Sequence, residues 1–384
     1  MPRRNLFGLS CLLLILIAAG SCQETELTSS GELYLDLPAT RYDYQNFGDT
    51  TNAIATLGRV LFYDRQLSIN NTISCASCHK QSSAFADNQR FSSGFEGKLT
   101  SRNSMPIQNL NEIFVLDFFA KPVSTNQVNG TQFFGGQHLF WDGRETSLQK
   151  LVLQPVGNHV EMGITDVGAL AEKLSGVSYY PSLFNDAFND QEITSDRIAT
   201  ALTTFASSIR ANSTRLDQNN LISVTNPGSA AGMTPLELEG MMLFKEKYDC
   251  NSCHRVDSPS GYVFAGTFAN IGLELDYSDK GLANTTGVAQ DIGKFKIPSL
   301  RNVVYTAPYM HDGRFQTLDD VLEHYSEGMA DNVNLDDRLK GKDGHAQSMN
   351  ISEPEKKAII AFLGSLSDQS VLTDPKFSNP FKTR

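Results

Sequence analysis

One pattern constrains this chain more than any other. Cys75-Ala-Ser-Cys78-His79 and Cys250-Asn-Ser-Cys253-His254 are the same pentapeptide, Cys-x-x-Cys-His, written twice. It is the attachment signature of a c-type haem. The spacing has a chemical reason. Two thiols on one tight helical turn reach the two vinyl groups of one porphyrin, and the next residue projects its imidazole at the iron as proximal ligand. A zinc site is one rival and a thioredoxin-like dithiol another. Zinc would need the two pairs to converge, yet they lie far apart and each carries its own His. A dithiol has no use for the His. The chain therefore carries two covalently bound haem c groups, one in each half.

The other two of the six cysteines lie at the N-terminus. Arg3 and Arg4 precede an apolar run from Leu6 to Ala19, too short to span a bilayer comfortably. Ala19-Gly20-Ser21-Cys22 reads as a lipobox. Residues 1–21 are then a lipoprotein signal peptide that takes Cys11 with it, and Cys22 becomes the lipidated first residue. Ordinary secretory cleavage nearby is the alternative. The expectation is a periplasmic protein, lipid-anchored through Cys22, or one displayed outside the cell. The 43 acidic against 32 basic residues give a net charge of −11, which argues against a nucleic-acid partner. An acidic surface permits a basic protein partner without requiring one.

A length of 384 residues asks for two domains. Residues 22–50 are polar and read as a tether. Ile54, Leu57, Val60 and Leu61 share one stripe of a helix that leads into the first motif. Ile198, Leu202, Phe205 and Ile209 mark a helix closing that domain. The reading is an N-terminal haem c domain over 51–211, a linker over 212–233 rich in Asn, Ser and Gly, and a C-terminal haem c domain over 234–384. Thr234-Pro235-Leu236-Glu237 starts a helix with an N-cap, a Pro and a capping-box Glu. Ser352-Glu353-Pro354-Glu355 starts another, with Ile359, Phe362, Leu363 and Leu366 on one face. The expected fold class is mainly α: two c-type cytochrome domains, each with one covalently bound haem.

An electron carrier fills both axial positions of its iron, whereas a haem enzyme leaves one open. Met310 and Tyr325 are both candidate sixth ligands for the second haem. His138, His159, His311, His324 and His345 are each more often hydrogen-bonding or surface residues. Trp141, the single Trp, is on its own ordinarily a core aromatic, and Glu161 on its own a surface carboxylate.

The motifs together resemble the bacterial di-haem cytochrome c peroxidases and their MauG-type relatives. The resemblance runs from about Leu57 to Leu366. It is carried by Leu57-Gly58-Arg59-Val60-Leu61-Phe62, the first haem motif, Arg102-Asn103, Trp141-Asp142-Gly143-Arg144, Glu161-Met162-Gly163, Pro298-Ser299-Leu300-Arg301-Asn302 and Thr306 through Gly313. It implies a peroxide site at the N-terminal haem, held by Cys75, Cys78 and His79, and an electron-transfer haem held by Cys250, Cys253 and His254. It implies Trp141 as a relay between the haems and Glu161 as the distal acid. Asn103 with the carbonyls of Thr306 and Pro308 matches an interdomain Ca²⁺ site, and relatives often form homodimers.

Three departures from the reductively activated peroxidases follow from the same alignment. Phe95 stands where a His caps the N-terminal haem, so that haem is expected to be open at rest. Tyr325 stands at the Met-ligand position, as in MauG-type enzymes, and is preferred over Met310. Leu151 replaces a distal Gln. The expected function is reduction of hydrogen peroxide with electrons from a small periplasmic cytochrome c or cupredoxin. The alternative is a MauG-like enzyme that oxidises a side chain of a partner protein through a high-valent iron state. A plain electron carrier is the least favoured reading.

Overall fold

The computed structural model describes residues 33–37, 49–110, 138–218, 232–256 and 268–383. The signal segment, the lipobox with Cys22, most of the tether and most of the linker lie outside the described residues. Among the described residues the structure is mainly helical with a few short strands, and no helix is long and apolar enough to cross a membrane.

Two apolar cores are each built on one helix crossing. In the first half, helix Asp49–Tyr63 packs on helix Ser195–Ser208. Leu57, Val60, Leu61 and Phe205 are fully buried there, and each such side chain contributes about 1.5–3 kcal/mol. The second helix starts at Thr194, whose side chain accepts from Arg197 N–H. Gly58 lets the two backbones touch: a Cβ at that position would lie 1.9 Å from the Ala201 carbonyl oxygen and 2.8 Å from Phe205 Cβ.

The second half repeats the device. The expected capping box of Thr234 with Glu237 opens helix Pro235–Met242, which widens into a π-turn over Leu243–Lys247. The box of Ser352 with Glu355 opens helix Glu353–Gly364. Where these helices cross, a Cβ on Gly240 would lie 1.9 Å from the Ala358 carbonyl oxygen and 2.9 Å from Phe362 Cβ. A glycine facing an alanine, with a phenylalanine one turn later, thus marks both crossings. The sequence reading did not pick out this internal repeat.

The chain does not end on the second core. After Leu366 it returns to the first, where Val371 and Phe377 are buried. Tyr63 Oη donates to the Phe377 carbonyl at 2.6 Å, and Arg59 Nε to the Ser378 carbonyl at 2.7 Å. Strand Phe381–Thr383 then pairs antiparallel with Leu33–Leu35, inside the segment read as a tether. That stretch alternates Leu-Tyr-Leu-Asp-Leu, a strand pattern too short to stand out until its partner, far along the chain, is known. A second short pair joins Phe268–Ala269 to Phe295–Lys296.

Candidate haem sites and the bridge between them

The first motif forms one helical turn, Cys75–Cys78, closed at its start by a capping box between Ser74 and Ser77. Burial pushes Cys75 up to about 12 and Cys78 to about 11, so both remain thiols rather than metal-binding thiolates. Ala84 and Phe85 take left-handed backbone angles, φ 50° and 60°, and turn the chain back under the histidine. His79 Nδ1 lies 3.0 Å from the Phe85 carbonyl oxygen. Burial pushes the His79 pKa down, so the imidazole is neutral. A neutral ring that donates from Nδ1 keeps its Nε2 lone pair for a metal.

The second motif reaches the same end on a 3₁₀ turn, Cys250–Ser252. His254 Nδ1 meets the Pro298 carbonyl oxygen at 3.1 Å, and burial lowers its pKa to about 4. Burial raises Cys250 to about 12 and also raises Cys253. A largely apolar cavity opens over this motif, with Cys250, Cys253 and His254 on its wall together with Met310, Tyr325 and Trp141. Paired thiols, a free Nε2 and apolar walls fit a c-type haem.

Both candidate sixth ligands therefore face one cavity. Tyr325 sits in a second π-turn, His324–Gly328, and its phenol has no hydrogen-bond partner among the described residues. Burial raises its pKa well above the ordinary phenol value. Met310 holds a left-handed backbone, φ 74°. Four of the five spare histidines are engaged elsewhere. His324 Nε2 meets the Ile271 carbonyl at 2.8 Å, His345 Nδ1 meets Asp331 at 2.6 Å, and His138 Nδ1 meets the Gly143 carbonyl at 3.2 Å. His311 is buried and stacks on Phe295 at 3.5 Å.

In the first half, Glu161 lines a cleft with Phe140, Arg144, Asn158 and His159. Burial raises its pKa, opposed in part by Arg144. The Asn158 side chain accepts from Val160 N–H at 2.8 Å and so fixes the turn that carries Glu161. The loop bearing Phe95 is docked directly on that turn. A Cβ on Gly94 would meet the Val160 carbonyl oxygen at 1.6 Å, and Phe95 N–H donates to the Glu161 carbonyl at 2.9 Å. The Phe95 ring fills the space at Gly163, 2.7 Å from where a Cβ would stand. Leu151 ends a short helix, Leu148–Leu151, and is not part of the cleft wall.

Trp141 belongs to both halves. Its Nε1–H donates to the Asn103 carbonyl at 2.8 Å, its own carbonyl accepts from Lys296 N–H at 2.9 Å, and it borders the second cavity. Beside it Arg102 joins the halves, with Nη1 2.7 Å from Asp142 and Nε 2.7 Å from Asp279. Asn103 N–H donates to the His311 carbonyl at 2.8 Å, which sets Asn103 beside the segment carrying Thr306 and Pro308. The Asn103 side-chain nitrogen donates to the Gln89 carbonyl at 3.0 Å. Among the described residues no group of three or more His, Cys, Asp or Glu converges on a metal position. The expected Ca²⁺ ligands are an amide oxygen and two carbonyls, which are not of that kind. The sequence reading passed over Asp279 and Lys296. Lys296 leaves a signal, a charge inside the apolar run Phe295-Lys296-Ile297.

Residues 52–221 match the family described as di-haem cytochrome c peroxidase. Methylamine utilization protein MauG of Methylophilus methylotrophus is 29% identical over 317 residues, covering 81% of this chain and 82% of the relative. Cytochrome c551 peroxidase of Nitrosomonas europaea is 30% identical over 275 residues, covering 70% of this chain and 72% of the relative. Among solved structures, a MauG-like protein associated with microbial copper homeostasis superposes with a TM-score of 0.68 at 28% identity, covering 90% of this chain and 97% of that one. With two haem-binding motifs, a half-buried carboxyl in the first half and a tryptophan spanning the halves, the chain belongs to the di-haem cytochrome c peroxidase family and is an oxidoreductase of the peroxidase type.

Proposed function

We propose that the chain reduces hydrogen peroxide to water with electrons from a small periplasmic donor protein, a cytochrome c or a cupredoxin, and that its N-terminal site is open at rest. The observation that carries this reading is the docking of Phe95 on the Glu161 turn, because a phenyl ring cannot ligate iron. The two haem c groups, one on Cys75, Cys78 and His79 and one on Cys250, Cys253 and His254, supply the iron redox chemistry. Glu161 takes a proton from one peroxide oxygen and returns it to the other, which leaves as water. Its burial suits it to exchange a proton at a higher pH than an ordinary Glu. Trp141, bonded to Asn103 on one side and to Lys296 on the other, carries electrons between the halves.

Tyr325 is our choice over Met310 as sixth ligand of the C-terminal haem. Its phenol has no other partner among the described residues, and phenolate favours ferric iron. Asn103 with the Thr306 and Pro308 carbonyls would hold one Ca²⁺ at the seam between the halves, an all-oxygen set suited to that ion. Lipidation at Cys22 would hold the protein at a membrane facing the periplasm.

The test is a low-temperature EPR spectrum of the resting ferric protein, repeated after peroxide without reductant. A high-spin signal that peroxide removes supports an open site. Two low-spin haems that stay inert until one-electron reduction would overturn it. The second reading, oxidation of a partner protein's side chain, is favoured by Tyr325 and is equally compatible with the open site that Phe95 implies. It predicts a long-lived oxidised state and little steady turnover with a reduced donor.

A further inference from the structure

The cavity of the second half holds a charge that no described residue balances. Lys296 is 6% exposed and lines that cavity. Its ammonium has no hydrogen-bond acceptor and no carboxylate partner among the described residues, and burial alone acts on it. The neighbouring charges are already paired. Lys294 meets Asp291 at 3.0 Å, Arg338 meets Asp336 at 2.7 Å, and Asp279 is held by Arg102. Asp249 borders the cavity but is exposed and does not reach Lys296. The fold treats another buried lysine differently: Lys356, 5% exposed, bonds both Glu323 and Glu353. The first half also buries a cation, Arg59 at 2% exposed, but its Nε donates to the Ser378 carbonyl, and Lys80 beside His79 is paired with Asp87 at 2.7 Å.

A buried cation without a partner is strongly unfavourable, and folds retain one where a counter-anion arrives. Among the described residues the polypeptide offers none here, and what fills the cavity can supply one. A haem carries two propionate carboxylates. We propose that Lys296 ion-pairs with a propionate of the C-terminal haem and holds that haem's reduction potential up. This rests on the reading that Cys250, Cys253 and His254 bind haem c. The positive charge favours the reduced iron and offsets part of the pull toward Fe(III) from an anionic sixth ligand. It acts beside the relay, because the Lys296 N–H is bonded to the Trp141 carbonyl. Lys296 is thus a positioning residue that tunes the haem next to the relay toward the reduced state.

The experiment uses the full-length holoprotein with Lys296→Met and Lys296→Arg. Pyridine haemochrome first counts the haems, and fewer than two in the wild type overturns the haem reading and this proposal with it. Potentiometric titration then follows each haem in the visible spectrum. Lys296→Met is expected to shift the oxidised-to-reduced ratio of the C-terminal haem at least tenfold toward oxidised at fixed poise, which is 59 mV for one electron. The N-terminal haem should move less, and Lys296→Arg should restore the wild-type ratio to within about threefold. Propionate bending bands in resonance Raman should change in the Met variant alone. Two haems with an unmoved C-terminal potential overturn the proposal, and so do unchanged propionate bands. If the Met variant does not accumulate, the neutral Lys296→Gln replaces it under the same criteria.

Discussion

The two halves carry their haem-binding motifs on the same scaffold and differ in the residues that surround them. Each crosses a glycine over an alanine, Gly58 on Ala201 and Gly240 on Ala358, and follows the alanine with a buried phenylalanine. Each sets its paired cysteines on one turn and steadies a neutral histidine through Nδ1 on a backbone carbonyl. Around those motifs the chemistry diverges. The first half has Glu161 on a turn packed by Phe95, while the second has Tyr325, Met310 and Lys296 on its cavity wall. Attachment is therefore a property of the repeated frame. Reactivity is set by a handful of residues that the frame does not constrain.

The sharpest way to break the comparison is at the crossings. Gly58→Leu and Gly240→Leu should each cost at least the ~1–3 kcal/mol typical of overpacking, because the added atoms meet backbone. Denaturant unfolding measures this, and a tolerated substitution in one half alone would end the claim of a shared frame. Next in size, Glu161→Gln should lower kcat/KM for peroxide by about 10²–10⁴-fold with both haems retained. The pH profile checks its sign. The ionised carboxyl accepts the proton, so wild-type activity falls as pH drops through a pKa raised above 4.5, and the Gln variant lacks that limb. Phe95→His sharpens the contrast by giving the first half a ligand. The resting high-spin EPR signal should vanish, and peroxide reactivity should wait on reduction.

Two smaller effects separate the halves further. Tyr325→Phe should alter the visible and EPR spectra of the C-terminal haem only, whereas Met310→Leu should leave them unchanged. The reverse result would exchange the ligand assignment. Trp141→Phe removes the bond to Asn103, a loss of about 0.5–1.5 kcal/mol in stability, and should slow electron exchange between the haems. Turnover equal to wild type in rapid-mixing kinetics would end its role as relay.

Local patterns were legible in the sequence because local chemistry writes them. The capping boxes at Thr234 and Ser352 fall where the residues place them, and the stripe of Leu57, Val60 and Leu61 is a buried helix face. The bland reading of the spare histidines also fits what His324 and His138 do, since each is bonded to a backbone carbonyl. The return of Phe377 to the first core was not legible, nor was the pairing of Leu33–Leu35 with Phe381–Thr383. Their partners stand hundreds of residues away, and a lone short strand carries no signal of its own.

The sequence by itself determined the cofactor class and the helices that carry it, because thiol spacing and capping act over a few residues. Tertiary structure alone decided which charges go unanswered and which residues join the halves. Arg102 became a clamp only when Asp142 and Asp279 arrived on its two sides. Lys296 became an orphan only when the fold buried it beyond the reach of any described carboxylate. Both outcomes depend on pairing across space at about 3 Å, and no spacing along the chain encodes that distance.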